Sequence, residues 1–191
     1  MKIIKSTLLL LAFFQFMHIP SRAQSQKEAD FKKTSDGLLE AIIKKSYKEI
    51  NKYINPTYGV YVMYFESAQY DSWNVVKKLN DDYSPNIGNM SLADMKKYPL
   101  TYGKLPAFDC KKGWNKKGYF ADSVGKYKPI SSTHNPGKGY ARALKFVEQN
   151  SRKLIFTGNK GGWFIFYMSY INNKWWFSMI DWWTGNCPGD N

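Results

Sequence analysis

Near the C-terminus two apolar runs, residues 163–171 and 174–182, are separated by nothing more than Asn172-Asn173. Both runs are rich in the aromatic and β-branched side chains that favour strands. Asparagine tolerates the positive φ that a two-residue hairpin turn demands. The pair therefore predicts an antiparallel hairpin with Ile171 opposite Lys174 and Trp163 opposite Trp182. One face then carries Phe164, Phe166, Met168 and Tyr170 against Asp181, Met179, Phe177 and Trp175. The other carries Trp163, Ile165, Tyr167, Ser169 and Ile171 against Trp182, Ile180, Ser178, Trp176 and Lys174. The first set is more apolar and is expected to face the core; a slip of one residue would exchange the two. A short strand over 153–157 precedes the hairpin across the turn Gly158-Asn159-Lys160-Gly161-Gly162, which makes a meander.

Upstream, Leu38, Leu39, Ile42, Ile43, Tyr47, Ile50, Tyr53 and Ile54 recur at three- and four-residue steps. Glu40, Lys44, Lys45, Lys48 and Glu49 fall on the other face. This pattern predicts an amphipathic helix of about five turns. Ser35 or Asp36 would cap it, and Asn55-Pro56 would stop it. Residues 24–35 are polar and are expected to form a flexible lead-in. Residues 58–65, apolar on both faces, read as a strand well inside a sheet; 71–79 give no clear period. Ser91-Leu92-Ala93-Asp94 has the shape of a capping box and opens a short helix that Pro99 ends. Short strands are expected around 107–110 and 118–124. After Asn135-Pro136-Gly137, the spacing of Tyr140, Leu144 and Val147 predicts a further short helix. A helix followed by a strand-rich half is the α+β pattern. The expected architecture is a long N-terminal amphipathic helix packed on a curved antiparallel sheet that ends in a C-terminal β-meander, one domain over 36–191.

Residues 1–23 have another character. Lys2 and Lys5 precede an almost wholly apolar run over 7–17, and Ser21-Arg22-Ala23 supplies small residues where a signal peptidase reads. This is the order of a cleavable signal peptide. The run is too short to span a bilayer, which takes roughly 20 apolar residues, and no transmembrane segment is expected elsewhere. The expected location is periplasmic or extracellular. Cleavage after Ala23 leaves 168 residues with 25 basic and 15 acidic side chains, a charge of +10. Such a charge favours anionic partners, here an anionic glycan or envelope polymer rather than nucleic acid. The lysines are spread in pairs, and only Lys111 to Lys117, around Trp114, is locally dense.

In an exported chain the two cysteines, Cys110 and Cys187, are most simply a disulfide. The strand-end Asp109-Cys110 resembles cell-wall cysteine peptidases, but Lys111-Lys112 stands where that class carries small residues. His134, the single histidine after the signal, reads as a loop residue. No cluster has metal-ligand spacing, the acidic pair Asp81-Asp82 being the nearest to one, and no cofactor is implied.

Three groups of residues carry a resemblance: Tyr58-Gly59-Val60-Tyr61; Leu105-Pro106-Ala107-Phe108-Asp109-Cys110 with Gly113-Trp114 and Gly118-Tyr119-Phe120; and Lys174-Trp175 with Ile180-Asp181 and Cys187. As a set they resemble small secreted proteins of unknown function from Bacteroides-type bacteria. The order of elements is also similar to the cone-shaped NTF2-like α+β fold. The first resemblance implies no activity, and the second implies a fold that hosts both enzymes and inert binding domains.

Five of the seven tryptophans fall within residues 163–183. Trp176 and Trp182, expected on one face with Lys174, would suit stacking on acidic sugar rings. Asp181, an acid on an apolar face, is the candidate carboxylate of a pocket. The expected function is a non-catalytic exported domain that binds a ligand or partner through Trp176, Trp182, Lys174 and Asp181. The alternatives are a glycan-active hydrolase using Asp181 and a structural envelope protein. The oligomeric state is left open.

Overall fold

The hairpin forms with the predicted turn. In the computed structural model, which describes residues 22–67, 70–81, 87–88, 90–122, 138–158, 161–182 and 184, Asn172 and Asn173 take φ values of 51° and 61°. The helices are α1 (Arg22–Ile43), α2 (Tyr47–Ile50), α3 (Leu92–Lys97) and α4 (Lys138–Gln149), with a 3-10 turn at Asn51–Tyr53. The strands are β1 (Val60–Ser67), β2 (Tyr70–Val76), β3 (Leu100–Tyr102), β4 (Phe108–Asp109), β5 (Gly113–Trp114), β6 (Gly118–Ala121), β7 (Ser151–Thr157), β8 (Trp163–Ile171) and β9 (Lys174–Asp181).

Seven strands form one sheet in the order β2-β1-β9-β8-β7-β6-β3, and β4 pairs with β5 as a separate ribbon. Most neighbours are antiparallel, but β1–β9 and β3–β6 run parallel. The fold is α+β, and its sheet is mostly rather than wholly antiparallel. The meander β7-β8-β9 is present, and β1 lies inside the sheet as its two apolar faces require. The helix at 92–97 opens on the expected capping box: Ser91 Oγ accepts from the Asp94 amide at 3.2 Å, and the Asp94 carboxylate accepts from the Ser91 amide at 3.1 Å.

Register holds from Ile171–Lys174 to Met168–Phe177, then shifts. Met168 pairs with Phe177 but Tyr167 pairs with Met179, so Ser178 is an extra residue, a β-bulge. The hydroxyls of Ser169 and Ser178 lie 2.7 Å apart and reach the carbonyl oxygens of Val147 and Tyr167 at 3.0 and 3.1 Å. The bulge reverses the parity of the residues beyond it. Ile180 joins Phe166, Phe177 and Trp175 in the core beneath α1, and Trp182 packs on that core. Met179 joins the second core with Tyr167, Ile165 and the α4 residues Leu144 and Val147. The expected faces of Met179, Ile180, Asp181 and Trp182 are therefore exchanged.

The N-terminal helix also differs. It is already formed at Arg22, so residues 24–35 are helical rather than a flexible lead-in. The apolar stripe extends one step further back than the obvious leucines: Phe31 is fully buried and so is Ser35, in phase with Leu38, Leu39 and Ile42. Ser35 is inside the helix rather than capping it, its hydroxyl donating to the Lys32 carbonyl at 3.0 Å. Arg152 on β7 holds the Glu28 carboxylate through two hydrogen bonds of 2.6 and 2.5 Å. Trp175 Nε1 donates to the Lys27 carbonyl at 3.0 Å, and its ring meets Phe31 edge-on at 4.7 Å. At the other end the helix breaks at Lys44-Lys45, where Lys45 takes φ 52°. At Gly37 the Tyr53 hydroxyl lies too close to where a Cβ would stand, so a side chain there would displace the phenol.

Tyr119 on β6 is 1 % exposed, edge-on to Phe156 at 5.7 Å. Its hydroxyl has no hydrogen-bond partner of normal geometry among the described residues. Burial pushes its ionisation well above the ordinary tyrosine value; the nearby Ser35 hydroxyl opposes this weakly. Above about pH 10 the unfolded chain ionises this group while the folded one resists. Stability is thus expected to fall as pH rises from that value toward the higher folded one. Tyr119→Phe should stay within about 1 kcal/mol of the parent at pH 7. It should also flatten part of the alkaline loss, as read by urea unfolding at pH 8 and pH 11.

Candidate functional site

The bulge rearranges the four residues that the sequence nominates as a site: it carries Trp182 to the α1 side and turns Asp181, expected on the opposite face, to the side of Met179 and Trp176. Asp181 is 2 % exposed. Its carboxylate accepts from Lys153 Nζ at 3.0 Å, from the Thr184 amide at 2.8 Å and from the Thr184 hydroxyl at 2.9 Å. Trp182 lies half-buried on the α1-side core. Trp175 is buried in that core. Trp176 stays on the α4 side, half-buried, its Nε1 donating to the Ile171 carbonyl at 3.2 Å. Lys174 is exposed and stands over the Trp176 ring, 4.0 Å from its centre. Of the four, Lys174 and Trp176 remain a unit; Trp182 lies on the other side of the sheet, and Asp181 is committed to Lys153 and Thr184.

The α4 side gathers more than this pair. The β4–β5 ribbon stands at the other end of β8, where Trp114 tilts against Phe108 at 5.2 Å and against Trp163 at 6.1 Å. Asp109 Oδ1 accepts the Lys111 and Lys112 amides, both at 2.9 Å, which fixes the turn. Gly113, at φ 72°, lets the chain re-enter the ribbon. This turn and exit project Lys111, Lys112, Lys116 and Lys117 into solvent. Between the two ends, α4 buries Leu144 and Val147 and exposes Arg142, Lys145 and Phe146. Phe146 is 41 % exposed and stacks on Tyr58 at 5.4 Å.

Charge is treated differently on the two sides. Along α1 and the turn after it, Lys32 pairs with Asp36, Lys44 with Glu40 and Lys52 with Glu49, and Arg152 pairs with Glu28. The lysines beside them hold the Glu40 and Glu49 carboxyls below the ordinary range. Among the described residues, no ion pair engages Lys111, Lys112, Lys116, Arg142, Lys145 or Lys174. The acids nearby are committed or covered: Asp109 to its turn, Asp181 to Lys153 and Thr184, and Glu148 buried.

The density of lysine around Trp114 is legible in the sequence. Arg142 and Lys145 are not, because the short helix shows its period through Leu144 and Val147 while its polar positions look ordinary. Cys110 is exposed in the ribbon turn, and no described cysteine is free; Cys187, His134 and Asp82 lie outside the described residues. Among the described residues no group of three His, Cys, Asp or Glu could hold a metal, and no helix is long and apolar enough to cross a membrane. Comparison of the chain with protein-family models, with curated proteins and with solved structures gives no match.

Proposed function

We propose that this protein is an exported, non-catalytic domain that binds an anionic glycan of the envelope or its surroundings through the α4 side of its sheet. Export follows from the basic, apolar and small-residue order of residues 1–23, with cleavage after Ala23. The observation that supports the binding surface is the unequal pairing of charge: Lys32, Lys44 and Lys52 along α1 and the turn after it are matched by carboxylates, and Arg152 by Glu28, whereas among the described residues no ion pair engages Lys111, Lys112 or Lys116 of the ribbon, Arg142 or Lys145 of α4, or Lys174. The aromatic rings set among these cations, Phe108, Phe146 and Trp176, suit the apolar faces of sugar rings.

Binding of this kind weakens with salt, since exposed charges are screened over about 8 Å at physiological ionic strength. Heparin serves as the probe. Replacing Lys111, Lys112 and Lys116 by Gln is expected to weaken binding roughly tenfold at low salt, about 1.4 kcal/mol. Replacing Lys33, Lys45 and Lys48 on the opposite side removes the same charge and should leave elution from a heparin column nearly unchanged. Equal shifts for the two triples would show that bulk charge alone is read, and would overturn the assignment.

A Cys110–Cys187 bridge is proposed as the anchor of the ribbon turn. Closing so long a loop stabilises by roughly 4 kcal/mol in the chain-entropy treatment. Unfolded, unreduced protein should then bind no thiol reagent and two equivalents after reduction; two equivalents before reduction would exclude the bridge.

A further inference from the structure

We infer that the mature N-terminus is a modification site: Gln24 cyclises to pyroglutamate. This rests on the proposed cleavage after Ala23, which makes Gln24 the first residue. The α-amine in its neutral form attacks Cδ of the Gln24 side chain and closes a five-membered lactam. The Cδ–Nε2 bond breaks, and ammonia departs with a proton from the amine. No oxidant, reductant or further reactant enters.

The fold gives this step a physical direction. Gln24 is exposed and sits in the first turn of α1 as the mature chain would have it. A free ammonium there would add a positive charge to the end of a helix that already carries the positive pole of the macrodipole. Lactam formation removes that charge, as other terminal blocking does. The Gln24 side chain offers Glu28 a long, exposed hydrogen bond of 3.4 Å, and Arg152 holds the same carboxylate at 2.6 and 2.5 Å, so the Glu28 anchor does not depend on that bond. The α1 anchor at Glu28, Phe31 and Trp175 then keeps a blocked, uncharged helix start against the sheet.

The full chain should be expressed with its own leader and the exported protein taken for intact mass and N-terminal peptide mass after reduction. The expected mass is that of residues 24–191 less one molecule of ammonia, with no free α-amine by amine-selective labelling. Gln24→Ser should export with a free, labelled amine. A chain starting at Gln24 with its ammonia retained and its amine reactive would overturn the modification while leaving the cleavage intact. A chain starting at another residue would overturn the cleavage reading and the modification together.

Discussion

Replacement of Asp181 by leucine is expected to lower the unfolding free energy by about 3–5 kcal/mol, because it strands a buried cation. Lys153 is the cation: its side chain is 16 % exposed, that of Asp181 3 %, and the two meet at 3.0 Å. Lys153 also stands 5.4 Å from the centre of the Tyr167 ring. Adding Lys153→Met should recover most of the loss, since a well-packed apolar pair often replaces a buried ion pair at no net cost. Urea unfolding of the two variants checks both statements. The same measurement bears on the hydrolase alternative. If Asp181→Leu kept full stability and abolished cleavage of a glycan, the carboxylate would be a working acid; a loss of stability that Lys153→Met restores marks it as a strut.

Phe31→Ala is expected to cost about 3–5 kcal/mol, the usual range for deleting a buried aromatic ring. The ring is fully buried, edge-on to Trp175 at 4.7 Å and beneath the Arg152 guanidinium, whose carbon lies 4.9 Å from its centre. Its removal should also loosen the Glu28–Arg152 pair and raise amide exchange along residues 24–35. A change within about 0.5 kcal/mol, the size of an ordinary surface substitution, would mean that this part of α1 does not belong to the core.

These two residues also mark where sequence pattern stops speaking. The strands of the C-terminal hairpin, their turn and the first half of their register are local, and Asn172-Asn173 with its aromatic flanks states them. The bulge is not stated: Ser178 is no glycine, and nothing in the run 174–182 shows that one residue is surplus. Its position is set by hydroxyl partners from β8 and from the end of α4, which sequence proximity does not reveal. Asp181 and Trp182 change face for that reason alone. Phe31 escapes pattern reading for a different one. It stands among polar or small neighbours, so the helical period there has a single apolar beat. The side chains that meet it, Tyr102, Arg152 and Trp175, come from distant strands. The basic side of the molecule is half visible, since Lys111 to Lys117 is a local cluster, whereas its union with Arg142, Lys145 and Lys174 is a product of the fold.

The sheet order has a consequence for how the chain comes into being. β9 is the last strand, yet it lies between β1 and β8, with parallel bonds to one and antiparallel bonds to the other. A chain that stops short of β9 leaves β2-β1 and β8-β7-β6-β3 without the strand that joins them. Native closure of the sheet waits for residues 174–181. The strand that joins the two parts of the sheet is thus made after both of them.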